Sequence, residues 1–234
     1  MKTLKLAILA LVLLATPAFA TSVTVTGVGQ QWTNYYNGIV DVSGVPTALA
    51  GLNAQVQFRV TGLVYDSGIG KTLLSMDIVV KNTTDSTIWQ NATVSGIGFN
   101  TDPNVARVGS GASGDYGFVA LNQNLPTGAG FVVEVCVAGR LNKCNGPASN
   151  ATQIGQVGAA SVVLAFRGDI TGQPITLDNF GIRYADLFSA SLGVNGMPGI
   201  GVPVTPPIPE PASAAVFGIG ALIVGAALRR MRAI

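Results

Sequence analysis

Histidine is absent from all 234 residues. Its absence removes a Ser-His-Asp or Cys-His nucleophile and any histidine-ligated zinc, because each needs an imidazole to carry a proton or donate a lone pair. Cysteine is scarce too, at two residues, and two thiols without histidine make a poor metal shell. Charge is thin: Asp, Glu, Lys and Arg together make up 10% of the chain. Between the two ends, eight basic residues stand against nine aspartates and Glu134, a net of −2, so the basic surplus of the whole chain sits at its termini. Such a distribution does not build a nucleic-acid surface, and no nucleic-acid partner is expected. Gly27-x-Gly29 lacks a strand-to-helix context, which leaves a phosphate-binding loop unsupported.

What the chain has instead is concentrated at its ends. Lys2 and Lys5 precede an apolar stretch at 6–15 and then Thr16-Pro17-Ala18-Phe19-Ala20, with Ala18 and Ala20 in small-x-small spacing. This reads as a cleavable secretory signal helix over 1–20 with the mature chain starting near Thr21; the apolar stretch is too short to cross ~30 Å of hydrocarbon, and Pro17 would break a helix. Near the other end, residues 212–228 carry no charge and at ~1.5 Å per residue reach ~25 Å, the lower limit for a transmembrane helix. Arg229, Arg230 and Arg232 follow and should stay cytoplasmic, which places the body outside. Residues 193–208 interleave glycine with proline and read as an extended, unfolded spacer. Pro209-Glu210-Pro211 stands between spacer and span.

The order Pro-Glu-Pro, apolar span, arginine cluster over residues 208–232 closely resembles the PEP-CTERM sorting signal of Gram-negative bacteria. The resemblance implies a substrate of an exosortase, an integral membrane protease, and a link to exopolysaccharide and biofilm. It also implies an inner-membrane precursor and a mature protein at the cell surface or outside the cell. In the body, Gly96-Ile97-Gly98-Phe99-Asn100-Thr101-Asp102-Pro103-Asn104, then Val133-Glu134-Val135-Cys136 and Cys144, resemble the cistern subgroup of the same proteins, which implies a two-cysteine extracellular domain.

The body, 21–192, is long enough for one domain with a sizeable core. Residues 54–61 alternate apolar with polar, the period of a half-buried strand, and similar runs lie at 22–28, 73–81, 93–99, 130–137, 161–167 and 175–184. Turn-rich clusters separate them, among them 82–86 and 109–115. Only 46–53 hints at a short helix. The expectation is an all-β body, an antiparallel β-sandwich or jelly roll. Cys136 and Cys144 are separated by seven residues in the exported part, a spacing that lets a hairpin loop bring the sulfurs together, and a disulfide is predicted.

Candidate sites are few, no cofactor is implied, and an enzyme is not expected. Glu134 with an aspartate could in principle form a glycosidase pair, but it alternates with Val133 and Val135 and reads as a solvent-facing strand residue. Asp102, Asn104 and Asp115 flank glycine-rich loops where oxygen ligands could hold calcium, without matching an EF-hand; local turn hydrogen bonding is the simpler reading. Trp32, Tyr35 and Tyr36 could stack on sugar, though packing or an ordered turn explains them more simply. The sequons at Asn82, Asn91 and Asn150 read as turn and strand residues. The function expected is that of an exported surface or matrix protein, with a carbohydrate-binding module as the alternative and a glycosidase as the remote one.

Overall fold

The computed structural model describes residues 22–42, 45–125, 131–139, 144 and 152–204. Ala18, Ala20, Pro209, Glu210, Pro211, Arg229, Arg230 and Arg232, the apolar span at 212–228 and Asn150 lie outside the described residues.

The described chain is all-β, without a helix: β1 (Val23–Val25), β2 (Gln31–Val42), β3 (Val45–Asp66), β4 (Lys71–Asn82), β5 (Asn91–Asp102), β6 (Ala106–Gly114), β7 (Phe118–Leu125), β8 (Phe131–Ala138), β9 (Val157–Arg167), β10 (Ile175–Ser189) and β11 (Val194–Val204). All ladders between them are antiparallel. They join into one sheet in the order β6-β9-β4-β3-β2-β11-β10-β5-β8-β7, with β1 added to the start of β10. The two end strands, β6 and β7, are consecutive in the chain, so the sheet curls back on itself and is nearly a barrel. Among the described residues no ladder closes it between β6 and β7, and that seam carries the candidate site.

Alternation dictates which side of each strand is buried. In β4, Thr72, Leu74, Met76, Ile78 and Val80 are fully buried and the residues between them are not. The interior is centred on Phe58 of β3, Phe99 of β5 and Phe180 of β10, with ring centroids 5.4 to 6.3 Å apart, while Trp32 of β2 stacks on Phe58 at 5.1 Å. Strands distant in sequence thus share one aromatic cluster, each ring contributing roughly 1.5–3 kcal/mol by burial.

A second, smaller cluster covers the outside of β5 and β8: Leu125, Val133, Cys136, Ala138, Cys144 and Ile200, with Phe131 and Val202 against them. The glycines of the Gly96-Ile97-Gly98 segment make its floor. A Cβ on Gly96 would sit 3.3 Å from the Cys144 sulfur and 3.5 Å from that of Cys136, and one on Gly98 would come within 2.8 Å of Val133. Ile97 and Phe99 face the main core. Alternate glycines therefore let one strand be buried on both faces.

Three sequence expectations are corrected. The spacer expected over 193–208 is, through Val204, strand β11, paired with β10 on one side and β2 on the other. Its glycines serve close packing, since a Cβ on Gly201 would fall on the side chain of Ile182. Its prolines avoid the β10 ladder: Pro198 is skipped at a bulge, and Pro203 lies beyond Gly201, where that ladder ends, although Pro203 stays in register with Tyr36 of β2. The helix hinted at over 46–53 lies within β3, which bulges near Gly51 (φ 74°) and so places Leu52 over Gly38. The turn cluster at 109–115 is mostly β6, ending at Gly114.

Candidate functional site

Glu134 is half-buried and not solvent-facing as its alternation implied. Its Oε2 accepts the N–H and hydroxyl of Thr101 at 2.9 and 2.8 Å, its Oε1 accepts the N–H of Val105 at 2.6 Å, and its own N–H donates to Asn100 Oδ1 at 2.8 Å. The carboxylate thereby fastens the segment between β5 and β6. Sequence periodicity could not show this, because the loop it grips belongs to a neighbouring strand.

Asp102 and Asn104 precede β6 and Asp115 follows it, so the strand's length separates them. Asp115 Oδ2 accepts the N–H of Ala159 at 2.9 Å. Among the described residues no three acidic or thiol side chains gather as a metal site. Trp32 and Tyr36 point into the core while Tyr35, 38% exposed, points out, so the three rings form no common platform. Burial raises the Tyr36 phenol well above its ordinary value. Cys136 and Cys144 are bonded, with Cα atoms 6.1 Å apart, inside the range a disulfide spans. Asn82 ends β4 fully buried: its amide donates to the carbonyls of Ala92 and Thr152 at 2.9 and 3.0 Å and accepts the N–H of Thr84 at 3.2 Å. Asn91 opens β5, exposed.

The cleft at the seam is the strongest candidate site. It has a volume of about 650 Å³ and is lined by residues 103–107, Leu121, Asn122, Arg167, Ile170 and Gln173. Pro103, Val105, Leu121 and Ile170 give it apolar walls; Asn104, Asn122 and Gln173 bring amides; Arg107 and Arg167 bring two exposed guanidinium groups. Among the described residues no carboxylate lines it. Among the described residues neither arginine has an ion-pair or hydrogen-bond partner.

Each wall is fixed by local bonding. Glu134 holds the first wall through Thr101 and Val105. Asn122 sits in β7 with φ 53°, a left-handed geometry that asparagine tolerates better than most side chains, between the ladder pairs Leu121↔Val135 and Gln123↔Val133. On the β9–β10 connection, Thr72 Oγ1 donates to the Gly168 carbonyl at 2.8 Å and accepts the Ile170 N–H at 2.9 Å. Asp169 accepts the N–H and hydroxyl of Thr171, which holds its carboxyl below the usual carboxylate range. Arg107 follows Ala106 and Arg167 lies two residues beyond Ala165, the pair at which β6 meets β9, and both line the cleft.

Sequence reasoning missed Arg107, Arg167, Asn122 and Gln173. The only signal available was that Arg107 and Arg167 each stand at a strand end beside glycine-rich loops; that both line one cleft follows from the folded sheet, which no local pattern encodes. The cleft offers cations and amides beside apolar surface, groups suited to an anionic polar ligand. No protein-family model matches the chain, and neither curated proteins nor solved structures give a significant match.

Proposed function

We propose that this chain is an exported, non-catalytic surface or matrix protein, processed by an exosortase-type membrane protease and retained in or near an exopolysaccharide layer. The observation that carries this reading is the order of Pro209-Glu210-Pro211, the uncharged span 212–228 and Arg229, Arg230 and Arg232, on a chain that begins with a secretory signal pattern. The bonded cysteine pair is in keeping with an oxidising compartment. The body is read as a jelly-roll-like sandwich. One half is β6-β9-β4-β3-β2 and the other β11-β10-β5-β8-β7, with Phe58 of the first half against Phe99 and Phe180 of the second.

Intact mass and cell fractionation, in the native host with and without its sorting protease, test the reading. The expected product starts near Thr21, lacks the span after Pro211, and lies outside the inner membrane only when the protease is present. Full-length chain in the inner membrane of both strains would overturn it. The carbohydrate-binding alternative gains from the cleft at the β6–β7 seam, whose amides and apolar walls suit the two-sided character of a sugar ring.

A further inference from the structure

We infer that the cleft between β6 and β7 binds a carboxylated polysaccharide, with Arg107 and Arg167 receiving carboxylates of its uronate residues. The inference deepens the matrix reading above and rests on it for the polymeric nature of the ligand; the choice of chemistry rests on the cleft.

Two guanidinium groups in a cleft with no carboxylate among its lining residues can receive an anion there, and a guanidinium fork fits a carboxylate through two parallel hydrogen bonds. The volume, about 650 Å³, accommodates more than a single small anion. Asn104, Asn122 and Gln173 can each donate to and accept from sugar hydroxyls, while Val105 and Leu121 offer apolar surface to the C–H face of a ring. Single-stranded nucleic acid, the other common anionic polymer, is disfavoured because its bases bind by stacking on aromatic rings and no lining residue is aromatic. The wall backbone is held by Glu134, Thr72 and Asp169 before any ligand arrives, so the ordering cost of binding falls mainly on the two exposed arginine side chains.

The test is titration of the full-length protein with three polymers: polygalacturonate, its methyl-esterified form with the carboxylates neutralised, and dextran. Polygalacturonate is expected to bind at least about tenfold more tightly than either of the others, and Arg107→Gln with Arg167→Gln to abolish that preference. Lys81→Gln, the same type of charge removal on exposed β4 surface, should leave binding unchanged. Equal binding of the esterified polymer, no binding of polygalacturonate, or an unaffected double variant would each overturn the assignment. If the double variant fails to fold, the comparison of polymers still decides. A protein correctly sorted outside the inner membrane but indifferent to polygalacturonate would refute this inference and leave the sorting reading intact. Binding by a chain retained in both strains would do the reverse.

Discussion

Glu134 Oε1 accepts the backbone N–H of Val105 at 2.6 Å, tying β8 to the loop that leads into β6. The other oxygen holds Thr101 twice, so one side chain fixes both ends of a short segment. Glu134→Ala is expected to cost about 1–3 kcal/mol in urea unfolding, since two backbone donors lose their acceptor. It should also speed hydrogen exchange at Val105 more than at Val79 in β4. Uniform acceleration across the sheet would mean that Glu134 acts globally and not as a local clamp.

Gly201→Ala tests whether β11 belongs to the sheet. Its new methyl would fall on the Ile182 side chain and 3.1 Å from the Tyr184 ring, and overpacking of this kind costs about 1–3 kcal/mol. Gly172→Ala, with no atom within 4 Å of the added carbon, should stay within about 0.5 kcal/mol of the parent protein. Equal stability of the two variants would return residues 194–204 to the role of a spacer.

Reduction of Cys136–Cys144 should lower stability by about 2–3 kcal/mol, the loop-closure contribution for a sequence separation of 8. The disulfide belongs to the outer cluster and not to the aromatic interior. Urea midpoints of the oxidised protein and of the Cys136→Ala, Cys144→Ala double variant measure the loss, and near-ultraviolet dichroism of the aromatic cluster should persist in the variant. Collapse of that signal would place the disulfide in the main core's cooperative unit.

Much of the sheet is legible in the sequence because period-2 alternation survives wherever one face is wet. β3, β4, β9 and β10 announce themselves this way. β6 and β11 do not, since their glycines mimic turn or linker composition: Gly109 and Gly114 take φ of 98° and 92° within an irregular edge, and Gly199 and Gly201 yield space to Leu187 and Ile182. Composition cannot distinguish a glycine that bends the chain from one that makes room for a neighbour. The candidate site is less legible still. Glu134 reads as exposed because its partners, Thr101 and Val105, lie outside its own strand, and the two arginines line one cleft only in the folded sheet.

Stability should be insensitive to pH between about 6 and 8, because no imidazole titrates there. Alkali is different. Burial raises the phenols of Tyr36, Tyr116 and Tyr184, and Tyr116 is further committed, its hydroxyl 2.9 Å from the Val94 carbonyl and 2.5 Å from Thr152 Oγ1. With folded values above the unfolded value near ~10, the folded state holds more protons. Its stability is therefore full below about pH 10 and lost as pH rises through the raised values. Melting temperature should fall above about pH 10, and phenolate absorbance from these three rings should appear only with unfolding. Ordinary titration of all five tyrosines in the folded protein would contradict this.

β11 also decides how the body would bear load. The chain leaves the described fold at Val204, from a strand with neighbours on both sides, Gly199–Val204 being laddered to β2 and residues 194–201 to β10. A pull along that strand meets many hydrogen bonds in shear at once, whereas a strand at the seam would peel away one bond at a time. Tension entering at Val204 is thus spread to both halves of the sheet, away from the unclosed edge where the cleft lies.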